Sequence, residues 1–315
     1  MIGRKVGIIG AGAVGATAAY SLSMMGTCKE IVLFDIAEGI AEGKAIDIAQ
    51  SNHYTPCAGT IITAAKTPAD VSDCDIVVIT AGVPRKGDMT REDLLLINAK
   101  IIKSVTNDVM KYSPNAIIIC VSNPLDVMTY VIHKITGWES NRIIGMAGAL
   151  DGSRMAYQIY KKLGYGSGQT GSLVIGDHGE NMIPLPQQVK VGSIPTTAVL
   201  TEKDMEEIID RTKNGGAEIV KYLGTSGYYG PGRAIAFMVE AILDDSKTVV
   251  SSSVLLNGEY GHSDVTVGVP VVLGNKGVES IIEISLDKEI TKKFDLSVKS
   301  IKEGIEVLNK NNFFD

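Results

Sequence analysis

Four stretches of the chain carry side chains suited to handling anions and protons. In "AGVPRKGDMTR", residues 81–91, Arg85, Lys86 and Arg91 fall within seven residues, in a segment whose Gly, Pro and Asp content suits a loop. One guanidinium already matches a carboxylate with its planar fork, so a second arginine six residues on points to a second anionic group. "GDHGE" (176–180) sets His178 in a turn bracketed by glycines, "ALDGSR" (149–154) offers Asp151 and Arg154 near the start of a helix, and "VSNPLD" (121–126) places Asn123 before a proline able to begin one. Imidazole, carboxylate and guanidinium together can move a proton and hold an acid. Taken singly, each also fits a structural role: His178 a turn histidine, Asp151 a helix cap, Asn123 a cap before Pro124, the loop charges solvated.

What brings such residues together is the element pattern around them. Up to about residue 145, "KVGIIG", "EIVLFD", "TIITAA", "DIVVIT", "NAIIICV" and "RIIGM" alternate with stretches of helical period. Continuous apolar strands mean a parallel sheet covered by helices on both faces, a Rossmann-type doubly wound α/β arrangement whose ligands sit at the carboxyl ends of the strands. After about residue 150 the order is mixed: a helix through "RMAYQIYKKLG", strand-like "GSLVIG" and "QQVKVGSI", a helix near 202–222, and another opening at Pro231. Three strands expected to pair antiparallel, "KTVVSSSVLL", "VTVGVPVVLG" and "VESIIEIS", precede a terminal helix from about Asp287. This predicts a dinucleotide-binding domain over 1–148 and a mixed α+β substrate domain over 149–315. No linker, repeat or low-complexity run separates them, so they should share a packed interface.

GxGxxG occurs twice, as "GAGAVG" (10–15) and "GSGQTG" (166–171). The first follows a strand and opens a helix; the second follows a helix and runs into a strand, so no helix N-terminus faces a phosphate there. Gly10, Gly12 and Gly15 are supported by Asp35, which ends the strand "EIVLFD" 20 residues after Gly15. A carboxylate there accepts the hydroxyls of an adenosine ribose and repels a 2′-phosphate, and Ile36, Ala37 and Glu38 supply no arginine to receive one, which favours NAD.

The 315 residues carry a formal net charge of −6, which removes the basic footprint of nucleic-acid binders, and no basic run suggests a membrane surface. Small-molecule partners become the default. Cys28, Cys57, Cys74 and Cys120 are widely spaced with no histidine at metal-ligand spacing, fitting a reduced, cytoplasmic setting and no metal. The uncharged run from Val6 to Cys28 could pass for a signal peptide or membrane span, but its glycines suit a tight strand-to-helix turn better.

"GAGAVG", "LFD", "AGVPRKGDMTREDLL", "VSNPLD", "LDGSR" and "GDHGE", in this order, closely resemble the lactate/malate dehydrogenase family over essentially the whole chain. The resemblance implies that His178 donates and accepts the proton, that Asp151 is its partner, that Arg154 clamps the substrate's 1-carboxylate, and that Arg91 polarises the reacting carbonyl. It implies that Asn123 bonds the substrate oxygen and, with Asn98 and Val121, borders the cofactor. Oxidising a 2-hydroxy acid removes a proton from oxygen and a hydride from carbon, so a base must sit at the hydroxyl while nicotinamide faces the C–H.

Within the family, Arg85 falls where lactate enzymes usually carry Gln and malate enzymes Arg, and Gly227 in "GTSGYYGP" resembles the small residue that malate enzymes place where lactate enzymes often have Thr. The resemblance therefore implies malate and oxaloacetate as substrates, the lactate-dehydrogenase-like malate enzymes as the nearest branch, and a homotetramer or homodimer. The chain departs from its relatives at Lys86-Gly87-Asp88, where Lys-Pro-Gly is frequent, and at Gly152, where a small non-Gly residue is common. Lactate oxidation, metal-dependent glycoside chemistry on a related NAD fold, and non-catalytic NAD binding are the competing readings.

Overall fold

The structure, a computed structural model, describes residues 4–54, 59–84 and 89–314. The first half alternates as expected: β1 (Lys5–Ile9), α1 (Ala13–Met25), β2 (Glu30–Phe34), α2 (Glu38–Ser51), β3 (Ile61–Ala64), β4 (Ile76–Ile79), α3 (Arg91–Tyr112), β5 (Ile117–Cys120), α4 (Leu125–Thr136) and β6 (Ile143–Gly145). Strands β1 to β6 are parallel and lie in the order β3-β2-β1-β4-β5-β6. Chain direction across the sheet reverses between β1 and β4, which opens a crevice at their carboxyl ends. The all-apolar strands β4 and β5 are buried at every position, as a sheet covered on both faces requires.

The second half comprises α5 (Ala147–Leu163), β7 (Val174–Ile175), β8 (Ile183–Pro184), β9 (Lys190–Val191), β10 (Ile194–Pro195), α6 (Glu202–Leu223), α7 (Tyr229–Leu243), β11 (Thr248–Asn257), β12 (Ser263–Gly274), β13 (Gly277–Ile281) and α8 (Lys288–Lys310). The three long strands pair antiparallel as predicted. They also extend the first-half sheet, because β11 pairs with β6 at Ser253 and Gly145, giving nine strands among the described residues. Gly145 makes the join feasible: a Cβ there would lie 2.8 Å from that of Ser253 and 2.7 Å from Leu125 Cδ2. The two halves are thus joined through one sheet as well as through packed helices, α1 against α7 and α4 against α8.

Several boundaries differ from expectation. Helix α5 begins at Ala147, so Asp151 lies in its second turn instead of capping it. Helix α7 begins at Tyr229, ahead of Pro231, since a proline within the first turn forfeits no intrahelical hydrogen bond. "GSLVIG" and "QQVKVGSI" yield only two-residue strands. They help to enclose a small second core with Met155, Ile159, Val189 and Ile208.

Candidate active site

The "GAGAVG" turn joins β1 to α1. Gly10 has φ +107°, and a Cβ there would lie 2.5 Å from Thr80 Oγ1. At Gly15 the Cβ would lie 1.9 Å from the Gly10 carbonyl oxygen, so only hydrogen fits between loop and helix. Gly12 differs: nothing stands within 4 Å of its Cβ position. Helix α1 has no side-chain cap at Gly12 and no acidic residue in its first turn. Its leading N–H groups are therefore available to an anion. Asp35, just past the end of β2, accepts the Ala11 N–H at 2.8 Å on Oδ2 and the Ala37 N–H at 3.0 Å on Oδ1. Each oxygen keeps a second lone pair for a ribose hydroxyl. Open approach, free helix N–H groups and a carboxylate just past the end of β2 fit a dinucleotide.

At the carboxyl ends of β4 and β5, Val121 continues the pairing by donating its N–H to the Ile79 carbonyl at 2.9 Å. Ser122 Oγ donates to the Ala81 carbonyl at 2.5 Å. Asn98 is buried and braces this edge: its Nδ2 donates to the carbonyls of Val83 and Asn123, and its Oδ1 accepts the Val83 N–H. Its amide hydrogens are directed to the protein's own carbonyls and tie the segment after β4 to the one after β5. Asn123 itself is exposed at the cleft.

The structure brings His178, Asp151 and Arg154 together. His178 Nδ1 lies 2.6 Å from Asp151 Oδ2, and the other oxygen of Asp151 accepts from Arg154 Nη1, also at 2.6 Å. Asp151 is 1% exposed. Burial disfavours the His178 imidazolium, but the charge and hydrogen bond of Asp151, helped by Asp126 and opposed by Arg154, outweigh it and hold the ring above the usual histidine pKa. Arg154 lies beside Gly215 and Gly216 of α6, where added Cβ atoms would stand 3.4 and 3.5 Å from its side chain. A Cβ at Gly152 would meet the exposed Ser172 Oγ at 2.6 Å, so a larger residue there would require that hydroxyl to turn away.

Arg91, the first residue of α3, is placed by a capping box in which Thr90 and Asp93 bond reciprocally. Its Nη2 pairs with Glu180 Oε1 at 2.7 Å, both side chains being 80% exposed. Arg91, Asn123, His178 and Glu180 line one cleft of about 390 Å³. Gly227 lies between α6 and α7 against Ile219. Arg85, Lys86, Gly87, Asp88 and Cys57 lie outside the described residues. Of the other histidines, His262 pairs with Asp295 at 2.9 Å, and His133 is buried. Cys120 is sealed in β5, where burial pushes its thiol up to about 12, so it faces no cleft in which the metal-dependent glycosidase reading would need it. No helix of the described residues is long and apolar enough to cross a membrane.

Two residues at this site escaped the sequence reading, Asp126 and Glu180. Both stand inside quoted motifs, but nothing in their spacing reveals their partners, His178 and Arg91, 52 and 89 residues away.

A glycine-turn dinucleotide site and a His–Asp–Arg cluster on a doubly wound sheet define an NAD-dependent dehydrogenase of 2-hydroxy acids. The family models described as "lactate/malate dehydrogenase, NAD binding domain" and "lactate/malate dehydrogenase, alpha/beta C-terminal domain" match residues 4–145 and 148–311. The chain belongs to the lactate/malate dehydrogenase family. It is 53% identical over 314 residues to a malate dehydrogenase of Sulfurimonas denitrificans, covering 99% of this chain and 98% of that one. Among solved structures, the malate dehydrogenase from Salinibacter ruber superposes with a TM-score of 0.92 at 40% identity, covering 97% and 98% of the two chains. A lactate dehydrogenase from Cryptosporidium parvum, complexed with lactic acid and NAD, also superposes with a TM-score of 0.92, at 36% identity and 98% and 99% coverage. Lactate and malate enzymes thus share this fold, and side chains must separate them.

Proposed function

We propose that the protein is an NAD-dependent malate dehydrogenase interconverting (S)-malate and oxaloacetate, with the His178–Asp151–Arg154 cluster as the observation that carries the chemistry. The Gly10–Gly15 turn would hold the pyrophosphate of NAD and Asp35 its ribose, and the nicotinamide would supply the hydride acceptor. With Nδ1–H donated to Asp151, the neutral ring of His178 presents a lone pair on Nε2. That atom takes the malate hydroxyl proton, and Asp151 stabilises the imidazolium. In reverse the same nitrogen returns the proton to the oxaloacetate carbonyl.

Arg154 uses one nitrogen on Asp151, leaving its others for the substrate's 1-carboxylate, so base and clamp are held by a single buried anion. Arg91 reaches the carbonyl by leaving Glu180, and a pair this exposed holds it by no more than about 1 kcal/mol. Arg85 reads the second carboxylate. Burying that group unpaired costs several kcal/mol, enough for an oxaloacetate preference of about 10²-fold or more. We assign the protein to the cytoplasm and to a homotetramer or homodimer; exposed Tyr20 and Met24 on α1, Tyr157 on α5 and Phe237 on α7 support the assembly.

The test is a 2-oxo acid panel with NADH and NADPH for the wild type and Arg85→Gln. Oxaloacetate with NADH should be the preferred pair, and Arg85→Gln should lower the oxaloacetate-to-pyruvate ratio of kcat/KM. A wild type favouring pyruvate, or a ratio unmoved by the substitution, contradicts the assignment.

A further inference from the structure

Behind the reaction centre lies a second buried carboxylate with no part in the chemistry above. Asp126, in the first turn of α4, is 5% exposed. Its Oδ2 accepts the backbone N–H of His178 at 2.7 Å, while its carbonyl oxygen accepts the Thr266 hydroxyl of β12 at 2.6 Å. Its Oδ1 is buried and makes no hydrogen bond of normal geometry, the Ser253 hydroxyl of β11 being the polar group nearest to satisfying it. A backbone N–H needs no anion to satisfy it, and an ionisable group in a dry core is costly. The carboxylate therefore does something a neutral acceptor would not.

We propose that Asp126 is a positioning residue for His178, fixing the 176–179 turn so that Nδ1 meets Asp151, and placing a second negative charge behind the imidazolium. It sits three residues after Asn123 on the same segment, so one short stretch ties the substrate-facing edge to the backbone of the base. Among the described residues, the charged groups facing His178 include Asp151 and Arg154 from α5, Asp126 from α4 and Asp177 from its own turn, with Arg91 of α3 and Glu180 across the shared cleft. Asp126 faces His178, Asp177 and the Ser253 hydroxyl of β11. Burial drives its carboxyl up to about 6, against Ser253 and His178 and with the repulsion of Asp177. It is ionised through the neutral and alkaline range in which His178 works.

The inference rests on the acid/base role of His178, and substitutions that split its two parts test it. Asp126→Asn keeps an oxygen acceptor but removes the charge; Asp126→Ala removes both. In Asp126→Asn, oxaloacetate reduction at its pH optimum should stay within about threefold of wild type, because the N–H stays bonded. The alkaline limb of kcat/KM should move to lower pH, as should the His178 ring titration followed by NMR in the free protein, assigned by its loss in His178→Asn. Asp126→Ala should lower kcat by about tenfold or more with NADH affinity retained. An unmoved limb and ring titration in Asp126→Asn overturn the electrostatic part, and wild-type kcat in Asp126→Ala overturns the positioning part. Should Asp126→Ala fail to fold, full kcat in Asp126→Asn supports positioning through the retained acceptor, and a kcat loss of tenfold or more overturns it. A wild type without oxaloacetate reduction would instead defeat the functional reading, and the ring titration still judges Asp126.

Discussion

Replacing Asp151 by Asn preserves shape and removes the charge that His178 Nδ1 and Arg154 Nη1 each meet at 2.6 Å. An amide has one accepting oxygen and one donating nitrogen. With the oxygen toward Arg154, the NH₂ donates to Nδ1 and holds the ring proton on Nε2, where the ring cannot take a proton from malate. With the oxygen toward His178, the NH₂ meets the guanidinium donor against donor. Either way one productive pairing is lost, the Nδ1–H donation that Asp151 accepts in the first case and the Arg154 bond in the second, and both contacts lose their charge. Hydrogen bonds to charged groups contribute about 1.5–3 kcal/mol each, so the loss of one or both lowers kcat/KM by about 10- to 10⁴-fold. Burial then acts on His178 without its main counterweight, so oxaloacetate reduction, which needs the imidazolium, loses its alkaline range first. NADH binding should be unchanged, because the Gly10–Gly15 turn and Asp35 lie on other elements. The assay is NADH absorbance across pH, with NADH affinity by fluorescence as the control. A kcat/KM within about twofold of wild type, where a single lost bond predicts tenfold, together with an unmoved alkaline limb, would refute the reasoning.

Three further outcomes follow from the same geometry. Gly15→Ala places its Cβ 1.9 Å from the Gly10 carbonyl oxygen, so NADH affinity should fall by about tenfold or more with a lower melting temperature; unaltered binding would show that the turn yields freely. Asp35→Ser should narrow the NADH-over-NADPH preference in kcat/KM, and an unchanged ratio would remove Asp35 from the ribose site. Burial lowers the buried His133 from 6.5 to about 4; the unfolded chain takes its proton first, so stability present above pH 6.5 is lost as pH falls toward 4, by up to about 3 kcal/mol. His133→Gln should flatten that part of the melting-temperature profile between pH 7 and 4.5, and an identical profile would assign the loss elsewhere.

The first six strands were legible because fully buried parallel strands are continuous apolar runs, such as "DIVVIT", punctuated by glycine and polar turns. The attachment of β11 to β6 was not legible: it turns on Gly145 meeting Ser253, more than a hundred residues away, and no local pattern encodes that approach. The short strands likewise depend on two-residue pairings, β7 with β8 and β9 with β10, which propensity does not foretell. In the site, the residue types and order of His178, Asp151 and Arg154 pointed to one cluster. That Asp151 bonds His178 and Arg154 at once required coordinates, as did the bracing by Asn98 and the capture of Arg91 by Glu180. Family motifs rank residues by type, whereas hydrogen-bond partners depend on which lone pairs and N–H groups remain after folding.

The account stands most directly on His178 as the group that exchanges the substrate's proton. His178→Asn, assayed for oxaloacetate reduction alongside NADH binding, should retain NADH affinity while kcat falls by at least about 10²-fold, the usual contribution of a positioned acid/base group. Turnover near wild type with NADH bound normally would contradict that role, and with it the mechanism assigned to Asp151.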